Sequence, residues 1–207
     1  IEKEITRKLI KIASVSSDED IKKDNRRIIF PFIKNGKEHY LIDEETFNSK
    51  YPRAHNYFLA IKEELSTRDK GKTNILRWYA YGRGQGLNLY GKKLLTKTFS
   101  NKPNFMVDED KYALFCNGYA IFPNNEEDLI ILKKILNSNL MNYYARKTSV
   151  EIEGDYQCYQ KNFIESFSIP LLSIEQKDFL LKENNSNKLN EFLIKLYQLK
   201  ETNGLRL

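Results

Sequence analysis

Residues 112–146 read YALFCNGYAIFPNNEEDLIILKKILNSNLMNYYAR, and the change of period inside this stretch decides the fold class. The first part is built around Asn117-Gly118. Asn-Gly accepts the positive φ angles of a two-residue turn, so Tyr112–Cys116 and Tyr119–Phe122 are predicted to be the two strands of a hairpin. The second part opens with Asn124-Asn125 and the acids Glu126, Glu127 and Asp128, a cap followed by charge that suits a helix N-terminus. Leu129, Leu132, Leu136, Leu140 and Tyr143 then recur at helical spacing and predict one helix over 126–146. A hairpin that runs into a helix, with no regular strand–helix–strand period elsewhere, points to the α+β class.

Upstream, Arg27–Ile33 is a strand-like apolar run in which Pro31 marks an edge strand or a bulge. Asn35-Gly36 is a turn signal, with His39–Ile42 as the returning strand. Residues 49–66 read as a helix capped by Ser49, with Pro52 in its first turn and Ala54, Phe58, Ile61 and Leu65 as its buried stripe. Asn74–Tyr81 reads as an aromatic strand, Lys93–Phe99 as a weakly alternating one, and Asn104–Val107 as another. Downstream, Glu151–Lys161 is irregular, Phe163–Ile169 alternates like a strand that Pro170 limits, and 187–200 is amphipathic and helical. Residues 1–24 mix charge with Ser and Asp and read as a linker or the tail of a preceding helix.

The length of 207 residues allows one domain with a sizeable core, here assigned to 25–182, with 183–207 as a C-terminal helix and tail. The chain begins at Ile1 and not at Met, as a piece of a longer or processed protein would. It has no apolar run long enough for a membrane span and no signal peptide, so a bacterial cytoplasmic location is expected. Cys116 and Cys158 lack the spacing of a zinc site. The net charge is +6, and its placement matters more than its size. Between Lys70 and Asn104 there are 8 basic residues and no acid; removing them from 34 leaves 26 against 28 acids elsewhere. The whole positive excess therefore sits in one segment, as on a face that binds a polyanion, although a solvated basic loop would give the same count.

Signals for catalysis are weak. Gly82-Arg83-Gly84-Gln85-Gly86 has neither the glycine spacing nor the following helix of a dinucleotide loop, and lacks the Gly-Lys-Ser/Thr of a phosphate loop. Asp108 and Lys111 could be combined into a nuclease site, but 108–111 reads more simply as a solvated turn. His39 and His55 have no triad partners nearby in sequence and read as surface or packing histidines.

What remains is a binding constellation. Trp78, Tyr79 and Tyr81 interleave with Arg77, Arg83 and Gln85. Arginine can read guanine bidentately and glutamine can read adenine, whereas Lys92, Lys93, Lys97 and Lys102 suit phosphates. A second loop of similar composition runs from Tyr156 through Gln157, Tyr159, Gln160 and Lys161 to Asn162. The competing reading makes Trp78 and the tyrosines core or cross-strand packing residues.

Tyr51-Pro52-Arg53 with the helix after it, Arg77-Trp78-Tyr79 leading to Gly82-Arg83, Gly91-Lys92-Lys93-Leu94-Leu95, Leu136-Asn137-Ser138-Asn139-Leu140 before Tyr143-Tyr144, and Lys161-Asn162-Phe163 through Ile169-Pro170 to Glu175-Gln176 occur in this order. In this the chain resembles the TaqI-like C-terminal specificity domain of adenine-N6 DNA methyltransferases and of type IIG restriction–modification enzymes, over about 25–182. The resemblance implies a target-recognition fold: a mixed, largely antiparallel twisted sheet with flanking helices. It implies a domain without catalytic residues, metal or cofactor of its own that reads double-stranded DNA. The Asn-Pro-Pro-Tyr motif and the S-adenosylmethionine glycine motif are absent, so the cofactor would belong to an upstream methyltransferase domain of the same parent chain, with or without a fused endonuclease. Family precedent places base-reading side chains in loops, here 82–91 and 156–162; where the family often has Pro or a second basic residue after Arg83, this chain has Gly84-Gln85. Two alternatives stand beside this reading: the recognition half of a type I specificity subunit, and a non-catalytic protein-interaction domain.

Overall fold

The computed structural model describes residues 1–35, 38–68, 78–81 and 86–199. It is α+β, with small antiparallel sheets flanked by helices, and divides into two compact units. The first comprises 1–9, 25–90 and 112–114; the second comprises 10–24, 91–111 and 115–207.

In the first unit, β1 (Thr6–Lys11) pairs through its N-terminal half with β2 (Arg27–Ile29), setting Arg7 opposite Ile28. Pro31 has no N–H to give a ladder and breaks the apolar run here. The chain resumes as β3 (Phe32–Asn35), paired with β4 (Glu38–Leu41) from Phe32↔Leu41 to Asn35↔Glu38. The turn expected at Asn35-Gly36 reaches outside the described residues.

The acids at 43–45 are a helix start. Asp43 accepts a hydrogen bond from the Thr46 N–H at 2.7 Å and caps α2 (Glu44–Lys50), whose first turn holds Glu44 and Glu45. Ser49 lies inside α2 and caps nothing. The single helix expected over 49–66 is instead the end of α2, then α3 (Pro52–Ala60) with Pro52 at its start, then α4 (Lys62–Ser66). The expected stripe is real: Ala54 and Phe58 are buried, and Ile61 and Leu65 pack against the same cluster with Phe47, Ile42 and Trp78. Of the strand expected at 74–81, residues 78–81 form a turn and bend, and the rest lies outside the described residues.

The second unit begins where a linker was expected. Ile10, Ile12, Val15 and Ile21 are buried, and α1 (Asp18–Lys23) is capped by Ser17, which accepts from the Asp20 N–H at 3.1 Å. Its main sheet has β5 (Lys93–Thr96) at the centre, flanked by β7 (Phe105–Asp108) and β9 (Tyr119–Ile121). β5 is buried at every position. The edge of β7 that faces away from β5 is covered by side chains. Asp18 accepts from the Val107 N–H at 2.9 Å, while the Asn137 amide accepts from the Phe105 N–H at 2.8 Å and donates to its carbonyl at 2.9 Å. An amide side chain thus takes the place of a neighbouring strand at Phe105.

This role of Asn137 explains why 126–146 is not one helix. A short 3-10 turn (Glu126–Asp128) leads into α5 (Leu129–Leu136). The chain then leaves the helix at Asn137, and Ser138 caps α6 (Asn139–Thr148) by accepting from the Met141 N–H at 3.3 Å.

The expected hairpin at Asn117-Gly118 is corrected as well. Its strands form, as β8 (Leu114–Cys116) and β9, but enter different sheets; β9 pairs with β5, as in Leu95↔Ala120. Asn117 takes the left-handed φ of 59°, and Gly118 is required for space. A Cβ on it would lie 2.5 Å from the Thr96 carbonyl oxygen and 2.8 Å from the Ile12 side chain.

Residues 151–161, read as irregular, contain β10 (Glu151–Ile152) and β11 (Tyr156–Cys158), with Gly154 and Asp155 at φ +83° and +64° in the turn between them. β11 also pairs with β6 (Phe99–Ser100). The strand expected at 163–169 does not form: the segment begins as α7 (Lys161–Ile164) and continues without regular structure, Ile164 being buried. α8 (Ile174–Lys182), closed by a Ser173/Gln176 capping box, was not foreseen; α9 (Ser186–Leu196) matches the expected last helix. Leu180 of α8 and Leu193 of α9 join Ile131, Ile135 and Leu140 in one buried cluster, so 183–196 belongs to the folded unit. No helix among the described residues is long and apolar enough to cross a membrane.

Gly118→Ala is expected to destabilise the chain by about 1–3 kcal/mol, since its new methyl group meets backbone and a packed isoleucine. Urea unfolding with an unchanged midpoint would rule out this close approach.

Candidate nucleic-acid interface

The residues expected to touch a nucleic acid fall into three groups. Arg77, Arg83 and Gln85 lie outside the described residues. Tyr79, Lys93, Gln157 and Tyr159 are in the interior. Lys92, Lys97, Lys102, Tyr156, Gln160 and Lys161 keep access to solvent.

The interior group is a correction, and each member has its own physical reason. Tyr79 is buried against Phe47 and Trp78, and its hydroxyl donates to the Ile42 carbonyl at 2.6 Å. Trp78 is buried too, its indole N–H reaching Glu44 at 3.3 Å. The packing reading of the aromatic run therefore holds for these two. Tyr159 has 0% of its surface exposed and packs edge-on to Phe105, and burial pushes its phenol well above the usual range. Gln157, 1% exposed, sits opposite Ser100 in the β6–β11 ladder, with its side-chain oxygen 3.5 Å from the Ser149 hydroxyl.

Lys93 departs furthest from expectation. It is 1% exposed and ion-paired at 2.7 Å with Asp108, which is 2% exposed and is its register partner across β5 and β7. The ammonium also donates to the Asp110 carbonyl at 2.8 Å, and the Asp110 N–H donates back to Asp108 at 3.1 Å. Burial raises the Asp108 carboxyl above its usual range, and the Lys93 ammonium offsets part of that. Asp108 is therefore neither a solvated turn residue nor a partner of Lys111, which pairs with Glu126 at 2.7 Å.

The accessible group is partly gathered by one sheet. β6 and β11 pair through Cys158↔Phe99, and the Tyr159 N–H donates to the Thr98 carbonyl at 2.8 Å. Two segments about sixty residues apart in sequence, one with Lys97 and Lys102 and the other with Tyr156, Gln160 and Lys161, thus flank adjacent strands. Lys102 and Tyr156 are exposed; Lys97 is half-buried and donates to the Ser16 hydroxyl at 3.1 Å. Gln160 stands at the N-terminus of α7 with no side-chain cap bond, and Lys161 is 3.7 Å from Glu165.

Arg146, which the sequence reading did not single out, orients this end of the sheet. Its guanidinium binds both oxygens of Asp155 in the β10–β11 turn, at 2.6 and 2.8 Å. That bond holds the Asp155 carboxyl below its usual range. The signal available in sequence was the pair Gly154-Asp155 nine residues after a helix-terminal arginine. Among the described residues no group of three or more His, Cys, Asp or Glu side chains could hold a metal ion.

No family model matches the chain. It is 26% identical over 209 aligned residues to the type II methyltransferase M.BstVI of Geobacillus stearothermophilus, a match covering 98% of this chain and 36% of that protein. It is 28% identical over 192 to the type II methyltransferase M.MjaIV of Methanocaldococcus jannaschii, covering 80% of this chain and 63% of that one. The chain thus spans about a third and somewhat under two thirds of these curated relatives.

Lys93→Met is expected to cost about 3–5 kcal/mol of stability by leaving Asp108 buried without its cation. A carboxyl whose folded pKa is raised stabilises the fold at low pH and loses that contribution as pH rises, so the deficit should grow with pH. Lys93→Met combined with Asp108→Leu should recover most of it. Unfolding curves in which the double variant is no more stable than the single one would show that the pair is not what holds these strands.

Proposed function

We propose that the chain is a TaqI-like target recognition domain of a type II or IIG adenine-N6 DNA methyltransferase. It grips double-stranded DNA and reads its sequence. Methyl transfer from S-adenosylmethionine is left to a methyltransferase domain of the same parent chain. The observation that carries this reading is the match of nearly the whole chain to about a third of a type II methyltransferase, through a stretch with neither an Asn-Pro-Pro-Tyr run nor an S-adenosylmethionine glycine motif. The concentration of the positive excess between Lys70 and Asn104 agrees with it.

In this reading labour is divided by side-chain chemistry. Lys92, Lys97, Lys102 and Lys161 neutralise phosphates and set the register on the duplex. Arg77 in the aromatic run, Arg83 and Gln85 in the glycine-rich segment, and Gln160 present donors and acceptors to base edges. Lys93, Tyr79, Gln157 and Tyr159 support these groups from the interior.

The test is selection of random-sequence duplexes by the 207-residue chain across a salt series. An enriched motif is expected, with log K falling by about 0.9 per phosphate contacted on a log-salt axis. Lys102→Ala should weaken binding to all sequences alike. Arg83→Ala should instead relax one base position, at about 1–3 kcal/mol of discrimination. Salt-independent binding, or none, would favour a protein-interaction domain instead.

A further inference from the structure

The first unit holds a basic cleft that the sequence reading passed over. Arg7, on β1, lays its guanidinium over the Phe30 ring at 3.6 Å from the centroid and places Nη2 3.1 Å from His39 Nε2. A guanidinium only donates, so His39 Nε2 must carry the lone pair and Nδ1 the proton. That proton is donated to the Asn88 side-chain oxygen at 3.0 Å, which turns the Asn88 NH2 group away from the ring. Lys34 lies 5.0 Å from the Tyr90 ring centroid, and Tyr90 meets Tyr112 edge-on at 5.0 Å. With Leu89, all of these residues except Phe30 line a pocket of about 210 Å³.

Among the described residues its lining has two cations and no carboxylate. Among the described residues neither Arg7 nor Lys34 has an acidic partner within ion-pair distance. Burial disfavours the charge on Arg7, a cost that an entering anion would offset. The rim is apolar and open: Tyr90 is 49% exposed, Tyr112 55% and Leu89 49%. The volume falls below the roughly 300–1,000 Å³ of pockets for whole organic ligands, yet admits one phosphate with its sugar.

We propose that this pocket is a sugar–phosphate site, in which Arg7, Lys34 and the Asn88 amide hold a backbone phosphate of DNA and the deoxyribose rests against Tyr90 and Tyr112. The neutral His39 is a positioning residue that fixes Arg7 and Asn88. The assignment rests on the reading of the chain as a DNA recognition domain, and adds to it an anchoring point whose two cations, Arg7 and Lys34, lie outside the segment that the sequence marked as basic.

The test follows the His39 imidazole NMR signals during titration with a short duplex, alongside affinity across a salt series for the wild type, Lys34→Met and Asn88→Ala. Lys34 and Asn88 are exposed, so both variants should keep the wild-type unfolding midpoint. The expected result is that duplex shifts the His39 signals. Lys34→Met should weaken binding to every sequence alike and reduce the salt slope by about 0.9, the share of one phosphate. Wild-type binding with unmoved His39 signals and an unchanged slope in Lys34→Met would overturn the site while leaving the recognition reading intact. Equal shifts from inorganic phosphate at the same phosphate concentration would overturn the backbone assignment in favour of a free-anion site. A wild type with no salt-dependent binding would remove the recognition reading, and the site with it.

Discussion

The second unit depends on how β7 satisfies its backbone and its charge at once. On one edge it pairs with β5, a strand buried at every position, and the two are joined at their ends by the Lys93–Asp108 ion pair. On the other edge no strand pairs among the described residues, and Asp18 and Asn137 supply acceptors and a donor there. Unpaired backbone groups in a buried strand are costly, so these side chains are constrained by the sheet as firmly as a neighbouring strand would be. Asp18 also receives the Lys133 ammonium at 2.6 Å, which ties α1 and α5 to the same edge. The helix break at Asn137-Ser138 follows from this demand.

Much of the fold was legible because it is written in local chemistry. Pro52 at a helix start, the apolar stripe Ala54-Phe58-Ile61-Leu65, the acids at 126–128 and the amphipathic last helix all act within a few residues of themselves. What was not legible depends on distant partners. Asn117-Gly118 looks like a hairpin turn, yet the glycine is needed because Thr96 and Ile12 approach it, and β9 therefore pairs with β5. Asp43 and Ser49 are both competent caps by type; the position of Phe47, buried in the core of the first unit, makes the helix start at the earlier one. Residues 1–24 look polar because their isoleucines are spaced among charges, though five of their apolar side chains are buried.

The candidate site was legible in its segments and less so in its residues. A count of charges along the chain cannot separate Lys92 from Lys93, because what internalises Lys93 is a carboxylate fifteen residues later on a paired strand. The same holds for the 156–161 segment. β11 buries Gln157 and Cys158 and leaves Tyr156 exposed, a distinction set by its place beside β6 and not by the composition of the segment. Conversely, Arg7, Lys34 and His39 belong to no basic run. They meet because β1, β3 and β4 bring them together, and what marks out the two cations is that neither has an acidic partner among the described residues.

The bond between Arg146 and Asp155 gives the exposed end of β11 a dependence on its surroundings. It is an ion pair at the protein surface, and dissolved ions weaken such pairs as the Debye length falls from about 10 Å at 0.1 M to about 3 Å at 1 M. Raising the ionic strength therefore loosens the turn that presents Tyr156, independently of any competition for phosphate. A ligand held there would be released by two electrostatic processes with the same sign. Counting phosphates from the slope would then overstate the number held, and the excess would measure how far the turn itself had slackened.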